Sequence, residues 1–200
     1  MKKAILFSLA AFIAAPIIAQ NIQSISIGTA MPMTTTKMKD VSGKDVSLKD
    51  AAEKNGLLVM FSCNTCPYVI RNQERTKQIN QYALENNIGV ILLNSNAAER
   101  DGADSYSAMQ AYAKKQGYNW YYAVDDNSKL ADAFGATHTP EVFLFNSSGQ
   151  LVYKGGIDDN PSDAHNVKRQ HLKEAINESK DGKPVSLKES RSIGCGIKRL

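Results

Sequence analysis

The sequence predicts a single α/β domain in which helices flank a mixed β-sheet. Two continuous apolar runs, residues 56–61 and 88–93, have the length and character of strands that are buried on both faces. The polar stretch between them, residues 67–85, favours a helix, and a strand–helix–strand order implies parallel neighbours in one sheet. Near the end, residues 141–145 and 150–154 flank a short polar turn and predict an antiparallel hairpin. The sheet is therefore expected to contain both strand orientations.

The other elements follow from local patterns along the chain. The helix at residues 67–85 carries an apolar stripe that includes Ile70, and a second helix is predicted over residues 105–116. Residues 120–124 predict a strand, and residues 128–134 predict a short helix. The motif Gly-Lys-x-Val-Ser-Leu-Lys occurs at residues 43–49 and again at residues 182–188, and each copy predicts a turn leading into a short strand. The remaining predicted segments are those before the first buried strand (22–27 and 38–46) and the last helix (167–179).

The first twenty residues have the pattern of a secretory signal peptide. Lys2 and Lys3 give a positive start, an apolar run follows, and the small residue Ala19 stands at the expected cleavage point. A membrane anchor is the alternative, but the run is shorter than the roughly 20 residues of a spanning helix. Removal of the leader places the chain outside the cytoplasm, in a bacterial periplasm, with no segment inserted in the membrane. We expect a signal peptide at 1–20, a domain at 21–180 and a tail at 181–200.

Composition excludes several classes of protein. The chain is 42% apolar and 22% charged, which excludes collagen-like, low-complexity and disordered chains. A net charge of +4 without an arginine-rich run gives no footprint for nucleic acid. The 3 cysteines are too few for a small domain that is held together by disulfides. These numbers leave a globular domain whose chemistry must come from its motifs.

Two cysteines stand where a buried strand gives way to a helix. Cys63 and Cys66 follow the strand directly, and Pro67 opens the helix. Free amide donors and the dipole at a helix start stabilise a thiolate, which is the nucleophilic form of cysteine. Two thiols this close can also form a disulfide, so that one attacks a substrate disulfide and the other releases the mixed intermediate. Because the electrons reside in the dithiol, this chemistry implies no dissociable cofactor.

Two other uses of this cysteine pair remain open. A C-x-x-C can be half of a zinc site, but the other candidate ligands form no second pair with zinc spacing. A purely structural disulfide is the other use, although so short a loop adds little stability. The position between strand and helix favours redox chemistry without a bound metal. The candidate ligands outside the pair are Cys195, His138, His165 and His171.

A second motif, Thr139–Pro140, precedes the strand at residues 141–145, where a proline is tolerated and a cis bond can occur. Together with the C-x-x-C-P motif, these residues resemble the thioredoxin superfamily. The opening at residues 27–32 and 43–48 narrows the resemblance to its peroxiredoxin-like branch, the AhpC/TSA or redoxin proteins. The two motifs and the tail at residues 194–198 resemble a secreted thioredoxin-like subgroup of that branch. The resemblance implies a three-layer thioredoxin-like fold, in which a cis-proline packs against the cysteine pair and the backbone of Thr139 receives an extended substrate.

The function implied by this resemblance is thiol–disulfide exchange, with an antioxidant role, on protein or small-molecule thiols and disulfides. A thiol peroxidase is the first alternative, and its substrates would be peroxides. Peroxidatic sites of this superfamily carry Thr or Ser three residues before the cysteine, whereas Cys63 and Met60 occupy those positions here. A Sco-like copper chaperone is the second alternative, with His138 as the distal ligand, but the cysteines of Sco-like pairs are separated by one residue more.

The two cysteines can act in either order. Ordinary thioredoxins use the first cysteine as nucleophile, but Pro67 favours the first helical position and thereby makes Cys66 the capping residue. We therefore expect Cys66 to attack and Cys63 to resolve, with the reverse order left open. Arg71 is a candidate to hold the Cys66 thiolate. The predicted central strand has no acid, so proton transfer must come from water or another residue, and Glu141 is one candidate.

Cys195 is a third thiol, which lies between two glycines near the C-terminus. A free cysteine in an oxidising compartment requires an explanation. It can reach the site as a further resolving thiol, join two chains, or have no redox role, and the sequence leaves these alternatives open.

Overall fold

The computed structural model describes residues 22–200, so the signal peptide predicted over residues 1–20 lies outside the described part of the chain. In chain order, the strands are β1 (Met38–Lys39), β2 (Asp45–Val46), β3 (Leu57–Ser62), β4 (Gly89–Asn94), β5 (Tyr121–Val124), β6 (His138–Thr139), β7 (Glu141–Phe145), β8 (Leu151–Gly155) and β9 (Cys195–Gly196). The α-helices are α1 (Leu48–Ala51), α2 (Pro67–Arg71), α3 (Gln73–Glu85), α4 (Tyr106–Gln116), α5 (Lys129–Phe134) and α6 (His171–Lys180).

The central sheet has the strand order β5–β4–β3–β7–β8. β3 pairs in parallel with β4 and antiparallel with β7, which places it at the centre of the sheet. β4 continues in parallel with β5, and β7 forms the closing antiparallel hairpin with β8. The mixed α/β sheet predicted from the sequence is therefore confirmed.

The apolar side chains of the sheet divide between two cores on its opposite faces. On β3, Val59 and Phe61 face one core, whereas Leu58 and Met60 face the other. Residues of α1 and α5 complete the first core, and residues of α3, α4 and α6 complete the second. Because both faces of the strand are covered, every position of β3 can be apolar, which explains the continuous apolar run in the sequence.

The helix predicted over residues 67–85 is instead two helices, α2 and α3, which meet at Asn72. The ψ angle of Asn72 is 3°, outside the helical range, and its side-chain amide donates to the carbonyl oxygens of Tyr68 (2.7 Å) and Pro161 (3.0 Å). Ile70, which we expected in the buried stripe, is 55% exposed. The prediction of one helix with Ile70 on its buried side was therefore wrong.

Other boundaries also differ from the predicted ones. α6 begins at His171 rather than at residue 167, because the Lys168 amide donates to the Asp159 carboxylate and the Arg169 carbonyl accepts from the Asp159 amide. The first copy of the repeated motif forms a turn and β2, whereas the second forms a turn without a strand, and residues 22–27 form no strand. Within residues 22–200, none of the helices combines the length and the apolar character that a bilayer span requires.

Candidate active site

The cysteine pair lies at the end of the central strand, where the chain enters α2. Cys66 is the N-cap residue of α2, and Pro67 is the first helical residue, as the sequence predicted. Cys63 follows β3 directly, so both thiols are held between a buried strand and a helix start. Both side chains are buried, with exposed fractions of 2% for Cys63 and 3% for Cys66.

Thr139 contacts both sulfur atoms of this pair. The Cys66 Sγ lies 3.2 Å from the Thr139 carbonyl oxygen, to which the thiol form donates, and the Cys63 Sγ lies 3.5 Å from Thr139 Oγ1. The Thr139–Pro140 peptide bond is cis, and both residues are buried. The structure thus brings together the four residues, Cys63, Cys66, Thr139 and Pro140, that the sequence analysis selected.

The surroundings of the pair separate the two thiols electrostatically. A hydrogen bond from the Cys63 thiol lowers the pKa of Cys66, and hydrogen bonds from Cys195 and from the Val69 amide lower it further against the effect of burial. The same hydrogen bond raises the pKa of Cys63, to which burial and the charge of Asp104 add. These shifts favour the negative charge on Cys66 and the proton on Cys63, which is the division that a Cys66 nucleophile requires.

The hydrogen bond from Cys63 can be tested by comparing two substitutions. In Cys63→Ser a hydroxyl can still donate to the Cys66 thiolate, whereas in Cys63→Ala this donor is lost. We expect the pH midpoint for alkylation of Cys66 to be higher in Cys63→Ala by about one pH unit, which corresponds to about 1.4 kcal/mol for one hydrogen bond to a charged group. Peptide-level mass spectrometry after iodoacetamide pulses gives the midpoints. Equal midpoints in the two variants would contradict the assigned hydrogen bond.

The C-terminal tail also reaches this site. β9 pairs antiparallel with β6, and Cys195 stands opposite Thr139. The half-buried side chain of Cys195 packs against the apolar cluster that contains Cys63 and Cys66. Burial and the neighbouring Cys66 thiolate raise the pKa of Cys195, which keeps its proton on sulfur. Three thiols therefore meet at the end of the central strand.

Two other candidate residues, Glu141 and Arg71, make different contacts from those expected. The Glu141 carboxylate accepts from the backbone amides of Thr137 (2.8 Å) and His138 (3.1 Å), so it stabilises the turn before Pro140. The guanidinium of Arg71 lies over the Tyr68 ring, 5.6 Å from its centroid, on an exposed side chain. The hydrogen bonds described for Glu141 involve neither cysteine, and its role in proton transfer is not supported.

His138 belongs to the same turn. Its Nδ1 lies 2.8 Å from the Thr137 hydroxyl oxygen, with which it shares a hydrogen bond. Across residues 22–200, the structure contains no group of three His, Cys, Asp or Glu side chains that is arranged to hold a metal ion. His138 and the cysteine pair therefore do not form the ligand set that the copper-chaperone alternative needs in this conformation.

A buried acid that the sequence analysis did not select supports the loop between the cysteines. Asp104 is fully buried, and its Oδ1 accepts from the Asn64 amide and from the Asn94 side chain, each at 2.8 Å. Its Oδ2 accepts from the Asn96 side chain at 2.7 Å. Tyr122 donates to the side chain of Asn64 at 2.9 Å. Asp104 stands just before the N-cap residue of α4, so its sequence position indicates only a helix start.

Comparisons with known proteins support one family. The Redoxin family model matches residues 26–170 of the chain. A hypothetical protein of known structure from Sinorhizobium meliloti 1021 is 30% identical, with 89% of this chain and 97% of that chain covered and a TM-score of 0.81. An uncharacterised conserved protein from Geobacillus kaustophilus is 29% identical, with 88% and 93% covered and a TM-score of 0.81. No curated protein matches the chain significantly.

A more distant structure concerns the fold alone. The thioredoxin domain of a thiol-disulfide oxidoreductase from Bacteroides vulgatus is 17% identical, with 66% of this chain and 89% of that chain covered and a TM-score of 0.52. This similarity confirms the thioredoxin-like fold that the cysteine and proline motifs led us to expect. The Redoxin match ends at residue 170, before the tail that carries Cys195.

Proposed function

The chain belongs to the Redoxin family, and we propose that it is a thiol–disulfide oxidoreductase whose reacting groups are Cys63 and Cys66. The observation that carries the proposal is the contrast between two adjacent buried thiols. Cys66 caps α2 and has a lowered pKa, whereas Cys63 has a raised pKa and donates to it. Family membership supports redox chemistry in general, and this contrast supports a dithiol as its centre.

Each cysteine has a separate role in the proposed reaction. The Cys66 thiolate attacks one sulfur of a substrate disulfide, and the substrate's other sulfur leaves as a thiol after it takes up a proton. Cys63 then loses its proton and attacks Cys66, which releases the second substrate thiol. The products are two substrate thiols and a Cys63–Cys66 disulfide, so two electrons pass from the protein to the substrate. Because the electrons come from the two cysteines, no dissociable cofactor takes part.

The reverse reaction uses the same centre, and in it the Cys63–Cys66 disulfide oxidises substrate thiols. A stabilised Cys66 thiolate favours the reduced protein, and a dithiol of this kind forms an oxidising disulfide. We propose protein or small-molecule thiols and disulfides as substrates. We further propose that the leader at residues 1–20 is removed and that the domain and tail act in an oxidising compartment, a bacterial periplasm. Thr139 contacts both sulfurs, and Thr139 and Pro140 would line the substrate position.

A reaction with two oxidants tests this proposal. The reduced protein is mixed with oxidised glutathione or with hydrogen peroxide, and thiols are counted by intact mass spectrometry. We expect oxidised glutathione to remove two protein thiols together. One molecule of oxidised glutathione is then reduced for each protein molecule oxidised, since both electrons come from one cysteine pair. A protein that peroxide oxidises rapidly and glutathione leaves reduced would instead be a peroxidase. If neither reagent oxidises the pair, the proposed function is wrong.

A further inference from the structure

The C-terminal tail is fixed to the edge of the candidate site by backbone hydrogen bonds. The Ile197 amide donates to the Thr137 carbonyl at 3.0 Å, next to the pairing of Cys195 with Thr139. The Lys198 amide donates to the Asn96 side chain at 2.9 Å, and the Lys198 carbonyl accepts from the Ala98 amide at 3.0 Å. Asn96 also binds the Asp104 carboxylate. The tail and the loop between the cysteines are therefore supported by one buried polar network.

Gly194 allows the tail to come this close. A Cβ atom at Gly194 would lie 2.1 Å from the Thr139 carbonyl oxygen, a distance that backbone atoms do not tolerate. The same atom at Gly196 would meet nothing within 4 Å. The close approach thus depends on a glycine on one side of Cys195 and does not depend on the glycine on its other side.

We propose that Cys195 is a third redox-active residue, which replaces Cys63 as the disulfide partner of Cys66. The proposal rests on the function given above. In the oxidised protein, the Cys195 thiol loses its proton and its sulfur attacks Cys66 Sγ. The Cys63–Cys66 bond breaks as the Cys66–Cys195 bond forms, and Cys63 leaves as a thiolate that takes up a proton. The number of thiols and electrons is unchanged, so the step needs no further reactant.

The position and charge of Cys195 suit this exchange. Its side chain packs against the cluster that contains Cys66, and a hydrogen bond links the two side chains. The Cys66 thiolate is one cause of the raised pKa of Cys195. That charge disappears once Cys66 is in a disulfide, so Cys195 then releases its proton more readily. Because Cys195 is half-buried and the other two thiols are buried, the exchange moves the disulfide toward the surface.

The attack of Cys195 on a Cys66 disulfide can be measured with glutathione in the place of Cys63 as the leaving thiol. Cys63→Ser and Cys63→Ser/Cys195→Ser proteins are reacted with oxidised glutathione. The double variant is expected to hold glutathione on Cys66, since no other thiol is near. Cys63→Ser alone is expected to release glutathione at least about 10-fold faster and to form a Cys66–Cys195 disulfide, because a positioned thiol has a high effective concentration. Equal release from both variants would overturn the proposal. If the double variant takes up no glutathione, the proposed function itself fails.

Two glycine variants in the Cys63→Ser background test the position of the tail. Gly194→Ala is expected to slow the release of glutathione by about 10- to 100-fold, because a displacement of about 1 Å disturbs the attack geometry. Gly196→Ala is the matched control and is expected to leave the rate unchanged. Thermal unfolding shows whether both variants are folded. Equal rates in the two glycine variants would contradict the role of the tail's contact with Thr139, and the cysteine comparison tests the exchange even if Gly194→Ala is unstable.

Discussion

Cys66→Ser, made together with Cys195→Ser, is expected to lower the rate of exchange with a small disulfide by at least about 1000-fold, because it removes the attacking thiolate. Cys63→Ser in the same background is expected to keep the first attack and to stop at the mixed disulfide. The reason is the division of charge within the pair, in which Cys66 caps α2 and Cys63 carries the proton. Replacing Cys195 in both proteins removes the third thiol from the comparison.

Stopped-flow reaction with a chromogenic disulfide gives the rates, and mass spectrometry identifies the trapped cysteine. Alkylation at mildly acidic pH should also be fast for Cys66 in the Cys63→Ser protein. It should be slow for Cys63 in the Cys66→Ser protein, since an ordinary thiol has a pKa near about 8.5. If Cys63 is the faster thiol and the better trap, the order of attack is that of ordinary thioredoxins. The account of Cys66 as nucleophile would then be wrong.

Asp104→Ala is expected to destabilise the protein by about 3–5 kcal/mol, as the removal of a buried, hydrogen-bonded charge does. The substitution leaves three buried N–H donors without their acceptor, on Asn64, Asn94 and Asn96. It also removes a negative charge that raises the pKa of Cys63, so the pKa of Cys63 is expected to fall.

Urea unfolding of the reduced protein measures the change in the free energy of unfolding. The matched control is Asp101→Ala, because Asp101 is an exposed acid in the same loop. Its removal is expected to change stability by no more than about 0.5 kcal/mol. A loss of less than about 1 kcal/mol in Asp104→Ala would show that the buried network does not support the loop between the cysteines.

Features decided by neighbouring residues were predictable from the sequence. Pro67 identified Cys66 as the N-cap residue, because proline fits the first helical position by its fixed φ and missing amide hydrogen. The strand–helix–strand order predicted the parallel pairing of β3 with β4, since a crossover helix leaves no other simple connection.

Features decided by distant contacts were not predictable. The helix break at Asn72 depends on a bond to Pro161, which lies 89 positions away. Asp104 supports Asn64 across 40 positions, and nothing in its local pattern indicates a contact with the cysteine loop. The position of Cys195 opposite Thr139 likewise requires the folded sheet edge. The sequence motifs therefore predicted residues that meet at the candidate site, but not the network that positions them.

Equilibration of the Cys195→Ser protein with mixtures of reduced and oxidised glutathione, followed by peptide mapping, tests the proposed dithiol centre. With the third thiol absent, we expect Cys63 and Cys66 to be lost together in one two-electron transition and to be recovered linked to each other. We also expect a midpoint more oxidising than the approximately −270 mV of thioredoxin, because the Cys66 thiolate stabilises the reduced form. A protein in which Cys63 stays free in every mixture, or in which each cysteine carries its own glutathione, would contradict the dithiol centre.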